Sequence, residues 1–473
     1  MTRKRSPRQR SIDYDLFSPT DFRYTVPELI PFLSEEAYVR YKAKIEAALA
    51  NQLANAGICS RAVASEISLA CEKVSAREVY EEEARIKHDI RALVNVIRNK
   101  VSEKARPFVH LGATSYDIVD TANALRFKDA MENVVIPDLK KLERALIEIS
   151  KIYSSTVQVG RTHGQHAEPV TFGYYLSFHV SRIGKRILAI ANATENLAGK
   201  FAGAVGVYGP LSLLVKDPEK FEKQLLDFLG LKVSQVSTQV IQPEPMTDLT
   251  HFIVSTFSVL ANFSRDMRNL QRTEISEVSE EFLSKQVGSS TMPQKRNPIN
   301  FENVESMWKK FMPQMITVYM DQISEHQRDL TNSSSERYLP ELVVAFDYAV
   351  KRLTRTIWNE KENRPKLTVD ISSMKRNIEL SKEQMAAEPF YILVAASGHP
   401  DAHERVRESV QRSITEGKSF LGELKKDPEL RKYFEMLPKE KRRFVENPEL
   451  YTGIAAEKTL EIAKRWESLL SLD

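Results

Sequence analysis

The chain has 473 residues, of which 42% are hydrophobic and 28% charged, and this length favours two or three domains over one core. Its formal net charge of +4, from 68 basic and 64 acidic residues, argues against a nucleic-acid-binding protein with a concentrated basic face. Glycine is scarce at 16 residues, about half of average usage, which favours long helices over a strand-rich fold.

The N-terminal segment is basic, and no apolar stretch follows it, so no secretory signal is predicted. Its basic residues are Arg3, Lys4, Arg5, Arg8 and Arg10. We expect a mobile, solvated tail, with a nucleic-acid-binding arm as the less favoured alternative. No window approaches the roughly 18 to 20 apolar residues that span a bilayer. Cys59 and Cys71 are too few for a disulfide framework, which predicts a reducing cytoplasm.

The chain divides into three regions of different texture. Residues 1–110 hold short helical patterns broken by glycine and proline, residues 111–365 hold long periodic stretches, and residues 366–473 are charged and helical. We therefore predict an all-α protein with an N-terminal helical domain, a central long-helix bundle domain and a C-terminal helical domain. Helices of this length are usually buried by other long helices, from the same chain or from another subunit, so we also expect an oligomer.

Two short motifs precede predicted helical stretches, the first as a helix start and the second as a loop. Thr114 and Asp117 have capping-box spacing before a helical stretch. The string from Arg161 to Gln165 reads RTHGQ and precedes a helix predicted from Pro169 to about Leu197. A lone histidine before a helix is more often structural than catalytic.

The longest helix is predicted from Asp248 to Lys285, because this stretch lacks glycine and proline and its apolar residues recur every three or four positions. It would be about 57 Å long at about 1.5 Å per residue. Another long helix is predicted from Pro298 to about Ser324.

The most informative segment, Gly288–Pro298, reads GSSTMPQKRNP. Asn297 suits a helix N-cap and Pro298 suits the first helical position. The free N–H groups of a helix start, with the charge of Lys295, would form a site for a carboxylate. The composition alone fits a well-capped linker equally well.

The whole string closely resembles the signature of the superfamily of fumarase, aspartase, argininosuccinate lyase and adenylosuccinate lyase. The RTHGQ string resembles the histidine motif of the adenylosuccinate lyase family, and His110–Asp117 resembles the superfamily's second conserved stretch. The resemblance covers residues from about 18 to 340. It implies a β-elimination that breaks a carbon–nitrogen bond and releases fumarate.

The resemblance implies three catalytic residues. Ser289 would be the general base that removes a proton from a carbon beside a carboxylate. His163 would be the general acid, and Glu302, thirteen residues after Ser289, would pair with it and keep the imidazole charged near neutral pH. Lys295, Asn297 and backbone N–H groups would stabilise the doubly negative intermediate.

The resemblance also implies substrate-binding residues. They are Arg23, Tyr24, Lys87, His88, Asp89, Thr114, Ser115, Gln239, Lys295, Asn297, Asn303, Arg328, Ser333 and Arg337. Arg23 and Tyr24 would contact a phosphate, for which the planar fork of arginine is well suited. Thr114 and Ser115 would bind the dicarboxylate end of the substrate. The segment 87–89 would contact the nucleotide, although by itself it looks like the solvated face of a charged helical stretch.

The implied substrates are adenylosuccinate and the succinyl-aminoimidazole-carboxamide ribotide of purine synthesis. The resemblance further implies no metal and no organic cofactor, and a homotetramer whose active sites each combine motifs of three subunits. Another lyase of the superfamily, of the argininosuccinate lyase or carboxymuconate cycloisomerase type, is the nearest alternative. A non-catalytic helical scaffold and an RNA-binding helical protein are more distant ones.

Overall fold

Helices dominate the structure, a computed structural model that describes residues 18–282 and 285–472. The basic tail discussed above lies outside the described residues. The strands are short, and the prediction of an all-α fold is confirmed. Among the described residues, no helix has both the length and the apolar character needed to cross a membrane.

Serine caps fix the starts of several N-terminal helices. The side chains of Ser34 and Ser60 each accept a hydrogen bond from a backbone N–H three residues later, and Ser75 forms a capping box with Glu78. The helices of this region are α1 (Pro19–Phe22), α2 (Ile30–Leu33), α3 (Glu35–Asn55), α4 (Arg61–Cys71), α5 (Ala76–Ile86) and α6 (Asp89–Arg98).

The middle of the chain holds the longest helices. The first two helices of this region, α7 and α8, are joined by one π-helical turn at Met131–Val135. The helices of this region are α7 (Ser115–Ala130), α8 (Ile136–Ile152), α9 (Phe172–Glu195), α10 (Gly209–Ser212), α11 (Pro218–Leu229), α12 (Glu244–Leu270), α13 (Ile299–Phe311), α14 (Gln314–Met320) and α15 (Leu339–Ile357).

The last part of the chain consists of shorter helices. They are α16 (Ile371–Glu379), α17 (Lys382–Met385), α18 (Ala387–Ala396), α19 (Ala402–Glu416), α20 (Phe420–Lys426), α21 (Pro428–Met436), α22 (Lys439–Glu446) and α23 (Ala455–Leu470). Phe390, Phe420 and Phe434 form an aromatic core within this region, with ring centroids 6.1 and 6.2 Å apart.

The strands of the described residues form two-stranded sheets. An antiparallel hairpin of β1 (Val157–Thr162) and β2 (Gln165–Thr171) is the longest of these sheets. The other strands are β3 (Ala198–Gly199), β4 (Lys232–Val233), β5 (Val278–Ser279), β6 (Trp358–Asn359), β7 (Arg364–Pro365) and β8 (Thr368–Val369). Strands β3 and β4 are parallel, whereas β5 with β8 and β6 with β7 are antiparallel.

The described residues form two compact units. The first consists of those within Met1–Leu139, Arg186–Leu260 and Ser306–Lys351, and the second of those within Lys140–Lys185, Ala261–Glu305 and Arg352–Asp473. In the first, Phe257 packs edge-on against Phe346 at 5.6 Å. In the second, Gly184 lets α9 approach α23, because a Cβ there would lie 2.3 Å from the Trp466 ring.

The two long helices predicted after Asp248 are both shorter than expected. Helix α12 ends at Leu270 instead of Lys285 and is therefore about 40 Å long. The backbone turns back through Ser276, whose φ is 54°, so that the Glu277 N–H donates to the Leu270 carbonyl at 2.9 Å. The helix expected from Pro298 to Ser324 is split into α13 and α14, because Pro313 has no N–H to continue it.

The helix predicted from Pro169 to Leu197 begins later than expected. It runs from Phe172 to Glu195, and Pro169 instead belongs to strand β2. The division into three sequence domains stays a prediction.

Candidate active site

His163 lies at the tip of the β1–β2 hairpin, not in an irregular loop. Thr162 pairs with Gln165, so the turn consists of His163 and Gly164 alone. Both have positive φ, 54° and 76°, which is the requirement of a type I′ turn. Glycine adopts this conformation freely, but for histidine it is strained, and such strain is typical of functional sites. The turn leaves the His163 side chain exposed.

The strand that leads into this turn is anchored by a buried ion pair. Arg161 donates to the two carboxylate oxygens of Glu277, at 3.1 and 2.7 Å. Gln158 and Asn377 donate to the same carboxylate, at 2.7 and 2.8 Å. The Glu277 side chain is 0% exposed and that of Arg161 15%. The charge-assisted, two-pronged bond therefore fixes β1 two residues before His163.

The Ser289 hydroxyl is held by its own loop. Its oxygen accepts hydrogen bonds from the backbone N–H groups of Thr291, at 3.3 Å, and of Met292, at 3.1 Å. Two amide dipoles thus point at the Ser289 oxygen, which would carry a negative charge if this serine acted as a base in its alkoxide form. This is the arrangement that stabilises an oxyanion.

Gly288 is required where the two ends of this loop meet. A Cβ at this position would lie 2.0 Å from the Lys295 carbonyl oxygen, closer than any contact allows. The Asn297 side chain closes the same loop, donating to the Gly288 carbonyl at 3.0 Å. The expected N-cap role of Asn297 is therefore wrong. Helix α13 begins one residue later than predicted, at Ile299, and the Pro298 carbonyl accepts its first bond, from the Glu302 N–H at 3.0 Å.

The start of α13 is already occupied by a carboxylate of the chain itself. Glu280 accepts from the N–H groups of Asn300 and Phe301, at 2.9 and 3.0 Å, and from the Asn300 side chain at 2.6 Å. Burial raises the pKa of Glu280 despite these donors. The prediction that these helix-start N–H groups are free for a substrate carboxylate is wrong, because Glu280 uses them.

The remaining residues of this part of the site are open to solvent or hydrogen-bonded. Lys295 and Glu302 are exposed, whereas Asn303 accepts from Arg352 at 2.7 Å. Within the described chain, no ion pair joins Glu302 to His163. Their predicted pairing stays a prediction.

Arg328 and Gln239 meet beside a cavity of about 160 Å³ in the other unit, and Ser333 also lines this cavity. Arg328 donates to the Gln239 side-chain oxygen at 2.9 Å. Its guanidinium carbon lies 3.4 Å from the centre of the Tyr116 ring. The structure thus brings together three residues that are far apart in the sequence.

Thr114 and Ser115 lie at the start of α7, directly before Tyr116, which lines this cavity. The predicted capping box is confirmed: the Thr114 N–H donates to the Asp117 carboxylate at 2.8 Å. Asp117 is also paired with the ammonium of Lys200, and both side chains are 0% exposed. Upstream, His110 is bonded to Glu46 at 2.6 Å. Burial alone would lower the pKa of His110, but the Glu46 carboxylate raises it above its ordinary value.

The segment Lys87–Asp89 is a break between two helices, so its interpretation as one helical face is wrong. Lys87 ends α5 with a φ of 59°. His88 is the N-cap of α6, and its Nδ1 accepts from the Arg91 N–H at 3.3 Å. Asp89 begins α6 and lies 3.9 Å from the Lys42 ammonium.

The predicted phosphate-binding residues Arg23 and Tyr24 and the predicted substrate-binding residue Arg337 all belong to the first unit. Arg337 lines a second cavity together with Thr20 and Asp21, the residues just before Arg23. The Tyr24 ring packs edge-on against Tyr348 at 5.2 Å.

The sequence is similar to known proteins over most of its length. Residues 22–312 match the sequence model of a protein family described as lyase. Adenylosuccinate lyase of Pyrococcus abyssi is 37% identical over 421 residues, or 88% of this chain and 91% of that protein. Adenylosuccinate lyase of Pyrococcus horikoshii is 35% identical, over 95% of this chain and 98% of that protein.

The chain belongs to the lyase family. The crystal structure of 3-carboxy-cis,cis-muconate lactonizing enzyme from Pseudomonas putida has the same fold, with a TM-score of 0.80, 25% identity and coverage of 94% of this chain and 99% of that one. The family resemblance drawn from the motifs is therefore confirmed.

Three cavity residues of this lyase were missed by sequence reasoning. Tyr116, Asp120 and Glu336 line the same cavity as Arg328. Burial raises the pKa of Asp120 and the pKa of Glu336 to about 7 each. The spacing of four between Tyr116 and Asp120, just after the Thr114–Ser115 pair, could have shown that both lie on one face of α7.

Proposed function

We propose that this lyase cleaves adenylosuccinate to AMP and fumarate, and the succinyl-aminoimidazole-carboxamide ribotide in the same way. Its similarity to adenylosuccinate lyases extends over nearly the whole chain, with 35% identity over 95% of it in one case. The structural observation that carries the chemistry is the pair of N–H groups at the Ser289 oxygen. Serine is a weak base in water, so a built-in stabiliser of its alkoxide is what the proposed role requires.

In the proposed reaction Ser289, as an alkoxide, takes the proton from the carbon beside a carboxylate of the succinyl group. The electron pair moves onto the carboxylate oxygens, giving a doubly negative intermediate that Lys295 stabilises. The electrons then return to form the double bond of fumarate, and the carbon–nitrogen bond breaks. His163 delivers a proton to the departing purine nitrogen. The exposed hairpin tip gives its imidazole access to a ligand.

We further propose that the protein is a cytoplasmic homotetramer with active sites shared among subunits, and that the substrate contacts are the residues named above. The apolar side chains exposed on and near α14 support association. Ile316 is 63% exposed, Met320 64% and Ile323 75%. Such a patch usually marks an interface. Cys59 and Cys71 are unpaired, which fits a reducing compartment.

The function is tested by adenylosuccinate turnover of the purified protein, followed in the ultraviolet, with argininosuccinate as the competing substrate. We expect turnover of adenylosuccinate only. Ser289→Ala and His163→Ala should each lower kcat at least about a hundredfold, as loss of an acid or base typically does. Circular dichroism confirms that each variant is folded.

Ser290→Ala is the matched control, because Ser290 is the exposed neighbour of Ser289. It should retain activity near that of the wild type. If Ser290→Ala is inactive and Ser289→Ala is active, the assignment of the base is wrong. Turnover of argininosuccinate alone would instead favour another lyase of the superfamily, whose members share this fold.

A further inference from the structure

Arg328 is held in one orientation by two neutral groups. The face of the Tyr116 ring lies 3.4 Å from the guanidinium carbon, and the Gln239 side-chain oxygen accepts one N–H at 2.9 Å. A planar guanidinium stacks well on an aromatic face, and this contact keeps its edge N–H groups available for other partners. Within the described residues, no salt bridge joins Arg328 to a carboxylate, although its charge acts on the nearby Asp329 and Glu336.

The absence of an ion pair is informative because carboxyl groups line the same cavity. Asp120, Asp321, Asp329 and Glu336 all line it, and Asp120 accepts from the Ile241 N–H at 2.9 Å. A half-buried arginine beside four acids would ordinarily form a salt bridge with one of them. Here the close partners of the guanidinium are instead the Tyr116 ring and the Gln239 amide oxygen.

We propose that Tyr116 is a positioning residue, which orients Arg328 to bind an oxyanion of the substrate in this cavity. The inference rests on the proposed function and adds a specificity determinant to its site. The oxyanion is a phosphate or a carboxylate oxygen, both of which match the arginine fork. Tyr116 contacts Arg328 through its ring face. Burial raises the pKa of Tyr116 to about 12, so the phenol carries no charge near neutral pH.

The position of Tyr116 explains why this residue type is needed there. It is the second residue of α7 and directly follows Ser115, one of the predicted contacts of the dicarboxylate. The ring therefore forms a physical link between the start of α7 and the segment that carries Arg328. An aliphatic side chain could fill the space, but it has no ring face for the cation.

The experiment compares Tyr116→Phe, which keeps the ring face, with Tyr116→Leu, which removes it, in the full-length protein. We expect Tyr116→Phe to stay within about twofold of the wild type in kcat/KM, whereas Tyr116→Leu loses about tenfold, mostly through KM, as the range of cation–π energies implies. Tyr116→Met serves as a second variant without a ring if Tyr116→Leu does not fold, and circular dichroism checks each protein.

Inhibition constants of AMP and fumarate identify the oxyanion. Weaker AMP inhibition of Tyr116→Leu assigns the phosphate, and weaker fumarate inhibition assigns the carboxylate. Unchanged inhibition by both, or equal losses in Tyr116→Phe and Tyr116→Leu, overturns the inference. If the wild type does not turn over adenylosuccinate, the proposed function is wrong, but this result does not decide the role of Tyr116. Calorimetric binding of AMP and fumarate to the wild type and to Tyr116→Leu then still decides the role of the ring.

Discussion

The Glu277 carboxylate offers the sharpest test of how the His163 hairpin is held. Glu277→Gln preserves the volume of the side chain but removes the charge that pairs with Arg161. Glu277 is 0% exposed and Arg161 only 15%. Breaking a buried ion pair by removing one partner costs about 3 to 5 kcal/mol. We expect the lower end, about 3 kcal/mol, because Arg161 keeps some contact with water.

Glu281→Gln is the matched control. Glu281 is 28% exposed and lies 3.4 Å from both Arg364 and Lys366. Pairs of this kind contribute about 0.2 to 1 kcal/mol. Urea unfolding followed by circular dichroism should therefore show a clearly larger loss of stability for Glu277→Gln than for Glu281→Gln. We also expect kcat to fall in Glu277→Gln, because the strand before His163 loses its anchor. Equal unfolding midpoints of the two variants would refute the reasoning.

Two further outcomes follow from local geometry. Gly288→Ala should lower kcat at least about tenfold, since its Cβ would lie 2.0 Å from the Lys295 carbonyl oxygen and displace the loop of the proposed base. Gly209→Ala, where a Cβ meets open space, should leave kcat unchanged, and similar rates for the two variants would contradict this role of Gly288. Because the Glu46 carboxylate raises the pKa of His110, their bond contributes fully below the ordinary histidine pKa of about 6.5 and is lost as pH rises through the raised value. The stability advantage of the wild type over Glu46→Gln, measured by urea unfolding, should therefore be larger at about pH 6 than at about pH 9, and a constant advantage would contradict the assignment.

The sequence predicted the class of fold and the start of α7 because both depend on local patterns. The absence of glycine and proline and the apolar spacing were enough to find α12, but not its end. Just beyond that end lies Glu277, whose carboxylate accepts hydrogen bonds from Arg161 and Asn377, in distant parts of the chain. A stretch that could continue as a helix ends where a long-range hydrogen bond stabilises the fold more than further helix would. No short window of the sequence contains both partners of such a bond.

The site shows the same limit. Asn297 and Pro298 have the residue types of a helix start, yet the cap comes from Glu280, which lies seventeen or more positions earlier. The sequence predicts a loop around His163, although the pair His163-Gly164 fits a two-residue hairpin turn. The strand is hard to recognise because the alternation of Val157, Gln158 and Val159 does not continue through Gly160, Arg161 and Thr162.

The two amides at Ser289 have a consequence for inhibitor design. In many acyl-transfer enzymes such a pair of donors receives the charge that develops on the substrate. Here the pair serves a side chain of the protein and is engaged within its own loop. A compound that imitates only the negatively charged intermediate leaves these donors untouched. A compound that also carries an electrophile could react with the Ser289 oxygen, because the two loop N–H groups stabilise the anionic form of this nucleophile.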